Sequence, residues 1–343
     1  MRPARSAALW LAPCAALSLA PCASAVDVRF DPVAPGIYAH IGDKGARTVE
    51  NEGLNANIGL IVAPGGAILI DSGATFSSAR DIHAAVKRIT PLPVKWVINT
   101  GGQDHRWLGN SYFAALGAEL IAHTRARADM QARGGDQLQA LRATLGEKAD
   151  GTTPMLPTRL IEGRDAVLEL GGLKLELRHR GTAHTPGDLM VRVSGQTLGA
   201  MPDGKPDGKL DGKPVGAPGG MPEGKRATGV VFSGDVVYVE RMLGVIPVSS
   251  TRTWLDAFDA LAEWNPAIIV PGHGAVTTLA IARRDTRDYL AALRAHMKKA
   301  VDDGTDVSAA IKSFPLGDFA KLLVAAEIHP GNASRTYLEM ERE

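Results

Sequence analysis

Four side chains able to hold a metal follow short apolar runs: His105 after Val94 to Ile98, His184 after Leu173 to Leu177, Asp235 after Val230 to Phe232, and His273 after Ile268 to Val270. A glycine lies close to each, at Gly102, Gly181, Gly234 and Gly272, and glycine lets a backbone turn sharply and approach closely. Strand ends on a common sheet edge converge even when they are distant in sequence. Three imidazoles and a carboxylate suit Zn2+. An open position would keep a water whose pKa falls towards about 7, with the ion also polarising a carbonyl. Taken singly, each histidine reads as a hydrogen-bonded loop residue sooner than as a ligand, and Asp235 as a turn cap; together the balance reverses and they point to a metal-activated water.

The stretch Val97 to Asn110 delivers the first of these groups. An apolar run ending in Asn99-Thr100 leads into Gly101-Gly102-Gln103-Asp104-His105 and a helix start, the form of a strand feeding polar side chains into an open loop. Asp104 reads either as the helix N-cap or as a ligand and catalytic base, and Gln103 as a group that orients water or substrate. Trp107 is expected to pack against the helix rather than line a pocket. His123 lacks glycine or acidic company and reads as structural, while Asp71, which ends an earlier strand, is placed to orient a ligand loop from behind.

Elements that position these loops follow from apolar patterning. Gly59 to Val62 and Ala67 to Ile70 flank Ala63-Pro64-Gly65-Gly66 as a hairpin, and Ala166 to Leu170 with Leu173 to Leu177 make a second. Ser77 to Thr90 carries Ile82, Val86 and Ile89 at helical spacing and is stopped by Pro91 and Pro93. Trp107 to Leu116 fits one helix. Glu119 to Ala122 and Leu189 to Val193 fit strands, and Thr124 to Asp150 reads as a polar, peripheral helix. From Ala280 the pattern turns helical, with Leu290, Leu293, Met297 and Val301 on one face and a last helix over Thr336 to Arg342.

Four segments, Asn99-Thr100 before a polar loop, Gly181-Thr182-Ala183-His184-Thr185-Pro186-Gly187-Asp188, Phe232-Ser233-Gly234-Asp235 and Val270-Pro271-Gly272-His273-Gly274, resemble the successive motifs of the metallo-β-lactamase superfamily. The resemblance spans about Gly36 to Gly274. Gly53 to Gly73 and Asn332-Ala333-Ser334-Arg335-Thr336-Tyr337 further resemble the quinoprotein relay system zinc metallohydrolases. The resemblance implies an α+β fold, an αββα sandwich with the site at one edge, a metal-dependent hydrolase of small esters, lactones, amides or related substrates, and association with a periplasmic quinoprotein or cytochrome system.

This chain departs from the superfamily in the first motif, where H-x-H-x-D-H is expected. Without a gap those positions are Gly101, Gln103, His105 and Arg106; shifted by one they are Thr100, Gly102, Asp104 and His105. Both registers lose the H-x-H pair and keep His105, so one zinc ion is expected rather than two, held by His105, Asp235 and His273. His184 is then a fourth ligand or a hydrogen-bonding catalytic group at the vacated position. In one register Asp104 joins the ligands; in the other Arg106 faces the site and binds a substrate carboxylate through its planar fork. Loss of the pair also admits a degenerate member that binds a small molecule or redox partner without catalysis. Nothing in the loops names a β-lactam, and fold membership does not fix function.

Composition sets the remaining bounds. The chain has 343 residues, 45% hydrophobic and 22% charged, ordinary for a globular protein. Arg2 and Arg5, an apolar stretch from Ala7 to Ala20 and Ala23-Ser24-Ala25 read as a secretory signal over residues 1–25, giving a periplasmic or secreted protein. Without those two arginines the 38 basic residues become 36 against 37 acidic ones, which gives no electrostatic case for nucleic acid or an anionic membrane. Both cysteines, Cys14 and Cys22, lie in the leader, leaving His and carboxylate as the metal donors of the mature chain. Residues 26–279 are expected to form the catalytic domain and residues 280–343 a helical cap. The Asp-Gly-Lys repeats within 199–228 carry too few apolar groups to offset the entropy of ordering and read as a solvated, disordered insert.

Overall fold

A computed structural model describes residues 26–194 and 229–343. The leader and the Asp-Gly-Lys insert lie outside the described residues. A seven-stranded sheet runs β1 (Asp31–Ala34), β2 (Ile37–His40), β3 (Ile58–Ala63), β4 (Gly66–Ile70), β5 (Val94–Ile98), β6 (Glu119–His123) and β7 (Arg159–Ile161), paired in that order. A five-stranded sheet holds β8 (Asp165–Leu170), β9 (Leu173–Arg178), β10 (Met190–Val193), β11 (Val230–Phe232) and β12 (Ile268–Val270), with β12 and β8 at its edges.

Strand periodicity sorts the side chains into layers. In β3 and β4, Ile61, Ala63, Ile68 and Ile70 point towards the second sheet and meet Leu175, Leu177, Val191, Val230 and Phe232. Ile58, Leu60, Ala67 and Leu69 point outward, against Ile82, Ala85 and Val86 of the helix Phe76–Ile89. That helix starts where expected, at a capping box in which Thr75 and Ser78 exchange side-chain to backbone hydrogen bonds, and it stops at Thr90 ahead of Pro91. The outer face of the second sheet is covered by the helices Thr251–Glu263, Asp288–Asp302 and Ala325–Met340, through Trp254, Phe258, Tyr289, Leu290 and Tyr337. Helices therefore flank two stacked sheets, the expected αββα arrangement. Among the described residues no helix is long and apolar enough to cross a membrane.

Three elements differ from the sequence expectation. The single helix expected over Trp107 to Leu116 is two short ones, Asp104–Trp107 and Asn110–Ala115. They part at Gly109, where a Cβ would stand 2.1 Å from the Ser72 carbonyl oxygen. The helix Thr124–Leu145 is not peripheral: it buries Ala126, Met130, Leu141 and Leu145 beside Trp107, and its Gln137 joins the Trp107 indole to the Gly102 carbonyl. The last helix begins at Ala325 rather than Thr336 and passes through Pro330. Its buried Ala325, His329, Asn332, Ala333, Thr336 and Tyr337 recur at helical spacing, so packing outweighs the lost proline hydrogen bond.

The two sheets approach closely at Gly59, where a Cβ would lie 2.3 Å from Phe232. Gly59→Val is expected to cost ~1–3 kcal/mol by overpacking. Gly135→Ala, in an open helix position, is expected to gain ~0.5–1 kcal/mol. Denaturant unfolding of the two variants checks both signs.

Candidate metal centre

Parallel pairing sends the ends of β4 and β5, and of β11 and β12, to one edge of the sandwich. From β4 the chain enters Asp71, whose backbone is left-handed at φ 67°. Its carboxylate turns back onto the end of β5, accepting from the Thr100 amide and hydroxyl, both at 2.7 Å. From β5 comes the loop to His105 and Arg106, from β11 comes Asp235, and from β12 comes His273. His105, Asp235 and His273 are all buried and offer donor atoms within 4.8 Å of one another. His105 Nε2 lies 3.2 Å from Asp235 Oδ2, and His273 Nε2 lies 3.3 Å from Asp235 Oδ1.

Protonation gives this cluster its meaning. His273 Nδ1 sits 2.6 Å from the Asn55 carbonyl oxygen, which can only accept, so Nδ1 carries the proton. Burial lowers the His273 pKa to about 3, against the attraction of Asp235, and lowers that of His105 to about 4. Both rings are therefore neutral near pH 7, and the bare Nε2 of His273 faces a carboxylate oxygen. Two acceptors at that distance are reconciled by a cation between them. Burial alone would raise the Asp235 pKa, but Arg106 and then His105 hold it well below the usual carboxylate range. Two neutral imidazoles and one carboxylate, with an outer carbonyl fixing one tautomer, are a donor set that could hold a metal ion.

Arg106 is the foundation of the site. Its guanidinium is 1% exposed, and all five N–H groups are spent on the protein. Nε and Nη2 donate to the two Asp235 oxygens at 3.2 and 2.5 Å, Nη1 to Asp71 Oδ2 and the Asn57 carbonyl, and Nη2 also to the Gly272 carbonyl. No donor is left for a substrate carboxylate, which corrects the substrate-binding role given to Arg106 from its sequence position. Asn57 completes the frame: its side-chain amide donates to the Pro271 and Gly274 carbonyls on either side of His273 and accepts from the Gly42 amide.

The remaining candidates separate. Asp104 stands outside the donor group and is not the N-cap, which is Gln103. Its carboxylate is ion-paired with Arg47 and accepts from the His105 amide at 2.8 Å. Burial opposes ionisation, but Arg47 and then His105 prevail and lower its pKa. An ionised, paired carboxylate is a weak base, so Asp104 serves to hold His105. Gln103 donates to Asp104 at 3.2 Å and keeps a buried Oε1 with no partner. His184 is not in the donor group: its Nδ1 lies 2.8 Å from the Gly244 carbonyl, and its ring stands 6.0 Å from Tyr238, which stacks on His273 at 4.6 Å. Carrying its proton on Nδ1, it presents a bare Nε2. His123 is committed to the Arg125 amide and the Gly163 carbonyl.

The side chains that reach the centre, His105 and Arg106, are those of the ungapped register. Neither glycine before them admits a ligand in its place. A Cβ at Gly101 would lie 2.6 Å from Asp188 Oδ1, and one at Gly102 2.2 Å from Asp129 Oδ2. The Asp188 carboxylate accepts from the Thr185 amide and hydroxyl, and burial, then Asp235, raise its pKa to about 7. Sequence reasoning did not identify Asn55, Asn57, Arg47, Tyr238 or Asp188 as parts of this site. The Asn-x-Asn ahead of β3 was the available signal, a pair of amides entering a buried strand.

A family model described as the metallo-beta-lactamase superfamily matches residues 51–198. Among solved structures, the chain is similar to a metallo-beta-lactamase from Pontibacter korlensis, at 16% identity and a TM-score of 0.52 over 75% of this chain and 95% of that one. It is similar to a double mutant of the sec-alkyl sulfatase PisA1, at 15% identity and a TM-score of 0.64 over 91% of this chain and 50% of that one. The DIM-1 metallo-beta-lactamase matches at 15% identity and a TM-score of 0.51 over 75% of this chain and 94% of that one. At these identities the structural likeness fixes the fold, and with the family model it supports the superfamily.

Replacing the foundation has a predictable cost. Arg106→Met leaves Asp71 and Asp235 buried without their cation and is expected to lose ~3–5 kcal/mol. Even with Arg106 present, burial raises the Asp71 pKa to about 6; without it the carboxyl keeps its proton to higher pH. A raised carboxyl pKa gives stability that is full at low pH and lost as pH rises, so in metal-free protein the deficit is larger at pH 8 than at pH 5. Urea unfolding of both proteins at the two pH values measures it.

Proposed function

We propose, with the metallo-β-lactamase superfamily as the premise, that this chain is a single-zinc hydrolase of small esters, lactones, amides or related substrates. The observation that carries the reading is the bare Nε2 of His273 set against Asp235 beside a second neutral imidazole, His105. A divalent ion held by these three residues would supply Lewis acidity, polarising a carbonyl and lowering the pKa of water. Arg106 keeps Asp235 ionised, Asn55 fixes the His273 tautomer, and Asp104 with Arg47 holds His105.

His184 acts as the proton carrier. Its Nε2 takes a proton from the attacking water and returns it to the leaving oxygen or nitrogen, so that water and an ester yield an acid and an alcohol. Gln103, with its unpartnered Oε1, orients water or a substrate N–H or O–H. Support for one ion rather than two comes from Gly101 and Gly102, which are closed to ligand side chains by Asp188 and Asp129. The leader read over residues 1–25 supports a periplasmic or secreted location, and the resemblance to quinoprotein relay metallohydrolases supports work beside a periplasmic quinoprotein or cytochrome system.

Metal analysis of purified protein is expected to give close to one tightly bound equivalent, lost in His273→Ala. On a panel of esters, lactones, amides and alkyl sulfates, His184→Ala is expected to lower turnover by ~10²–10⁴-fold, the range of a general base, while keeping its metal. Bound metal with no panel substrate turned over by the parent protein would favour a binding protein, and a metal-free preparation that cannot be loaded would overturn the reading.

A further inference from the structure

We infer that Asn332, in the C-terminal helix, is a positioning residue that sets the tautomer of His184; the inference rests on the reading of His184 as proton carrier. The chain of contacts is short and specific. Asn332 is buried, and each of its polar groups is used: Oδ1 accepts from the Val245 amide at 2.7 Å, and Nδ2 donates to the Leu243 carbonyl at 2.7 Å and to the Tyr289 hydroxyl at 3.1 Å. The side chain thus clasps the backbone on both sides of Gly244. The carbonyl between those two contacts is the one that receives His184 Nδ1. Five residues beyond Gly244, the Ser249 hydroxyl, itself bound by the Ile246 amide, donates to the His184 carbonyl at 2.8 Å. The segment 243–249 therefore grips His184 at ring and backbone, and Asn332 anchors that segment to the helices that carry Asn332 and Tyr289.

Chemistry explains why a glycine carbonyl needs such an anchor. Nothing lies within 4 Å of the Cβ position of Gly244, so no side-chain packing at residue 244 fixes the direction of its carbonyl. An imidazole bonded through Nδ1–H keeps Nε2 free to accept a proton, whereas a rotated carbonyl would release the ring to the other tautomer and put a proton on the nitrogen that must be bare. An amide is suited to the clasp because it accepts on one side and donates on the other. Asp in its place would set a carboxylate against the Leu243 carbonyl, and Leu would leave the Leu243 carbonyl and Val245 amide buried without partners. The helices at the end of the chain thereby act on the proton carrier without touching it.

The test reads His184 directly and needs no substrate. In ¹⁵N-labelled full-length protein, the ring signals of His184 are identified by their absence in His184→Gln. The parent is expected to show a protonated, exchange-protected Nδ1 and an unprotonated Nε2. Asn332→Leu and the milder Asn332→Ser are expected to speed Nδ1–H exchange by about tenfold, the loss of roughly one buried hydrogen bond, and to bring up signal from protonated Nε2. Thr336→Val, a buried change on the same helix outside the clasp, is expected to alter stability and leave the His184 signals unchanged. A native His184 pattern in folded Asn332→Ser, or the same disturbance in Thr336→Val, overturns the inference. An inactive His184→Ala bears on the catalytic reading alone, and a disturbed tautomer in a protein without turnover leaves the positioning role standing.

Discussion

Every loop of the metal centre is tied to the buried ion pair between Arg106 and Asp235. A guanidinium withdrawn from water is costly unless each N–H finds an acceptor, and here the acceptors come from four segments, Asp71 after β4, the Asn57 carbonyl before β3, Asp235 after β11 and the Gly272 carbonyl after β12, all meeting the donor that the loop after β5 supplies. The planar fork can satisfy that set in one arrangement only. The ion pair therefore aligns the ends of both sheets before any metal arrives, and it leaves Asp235 ionised as a ligand.

The loop after β5 sets a permanent cation, Arg106, beside His105, and its glycines at 101 and 102 let the Asp188 and Asp129 carboxylates close in. What remains is a buried centre with three donors, a carboxylate that Arg106 holds ionised, and a neighbouring histidine whose free nitrogen is set by a backbone carbonyl.

Much of this was legible in the residues. Strand and helix periodicity located both hairpins, the helix capped by Thr75 and the four loops, because one-sided burial leaves a regular mark on sequence. The triad of His105, Asp235 and His273 was legible because glycine-flanked polar residues after apolar runs have few other reasons to recur. The role of Arg106 was not, since a guanidinium reads as a surface or substrate-binding group until the acceptors converging on it are known. The break at Gly109 and the early start of the last helix were hidden for a related reason: each is decided by a contact with a remote segment, the Ser72 carbonyl in one case and the helix Asp288–Asp302 in the other. The standing of His184 likewise depends on a carbonyl sixty residues away.

The central claim, one ion on His105, Asp235 and His273 over an Arg106 foundation, is tested most directly by anomalous diffraction from crystals of the zinc-loaded protein. The account predicts a single peak bonded to His105 Nε2, His273 Nε2 and an Asp235 oxygen, with Arg106 still bound to Asp71 and His184 outside the coordination sphere. A second peak, or a single one ligated by His184 or Asp104, would contradict it.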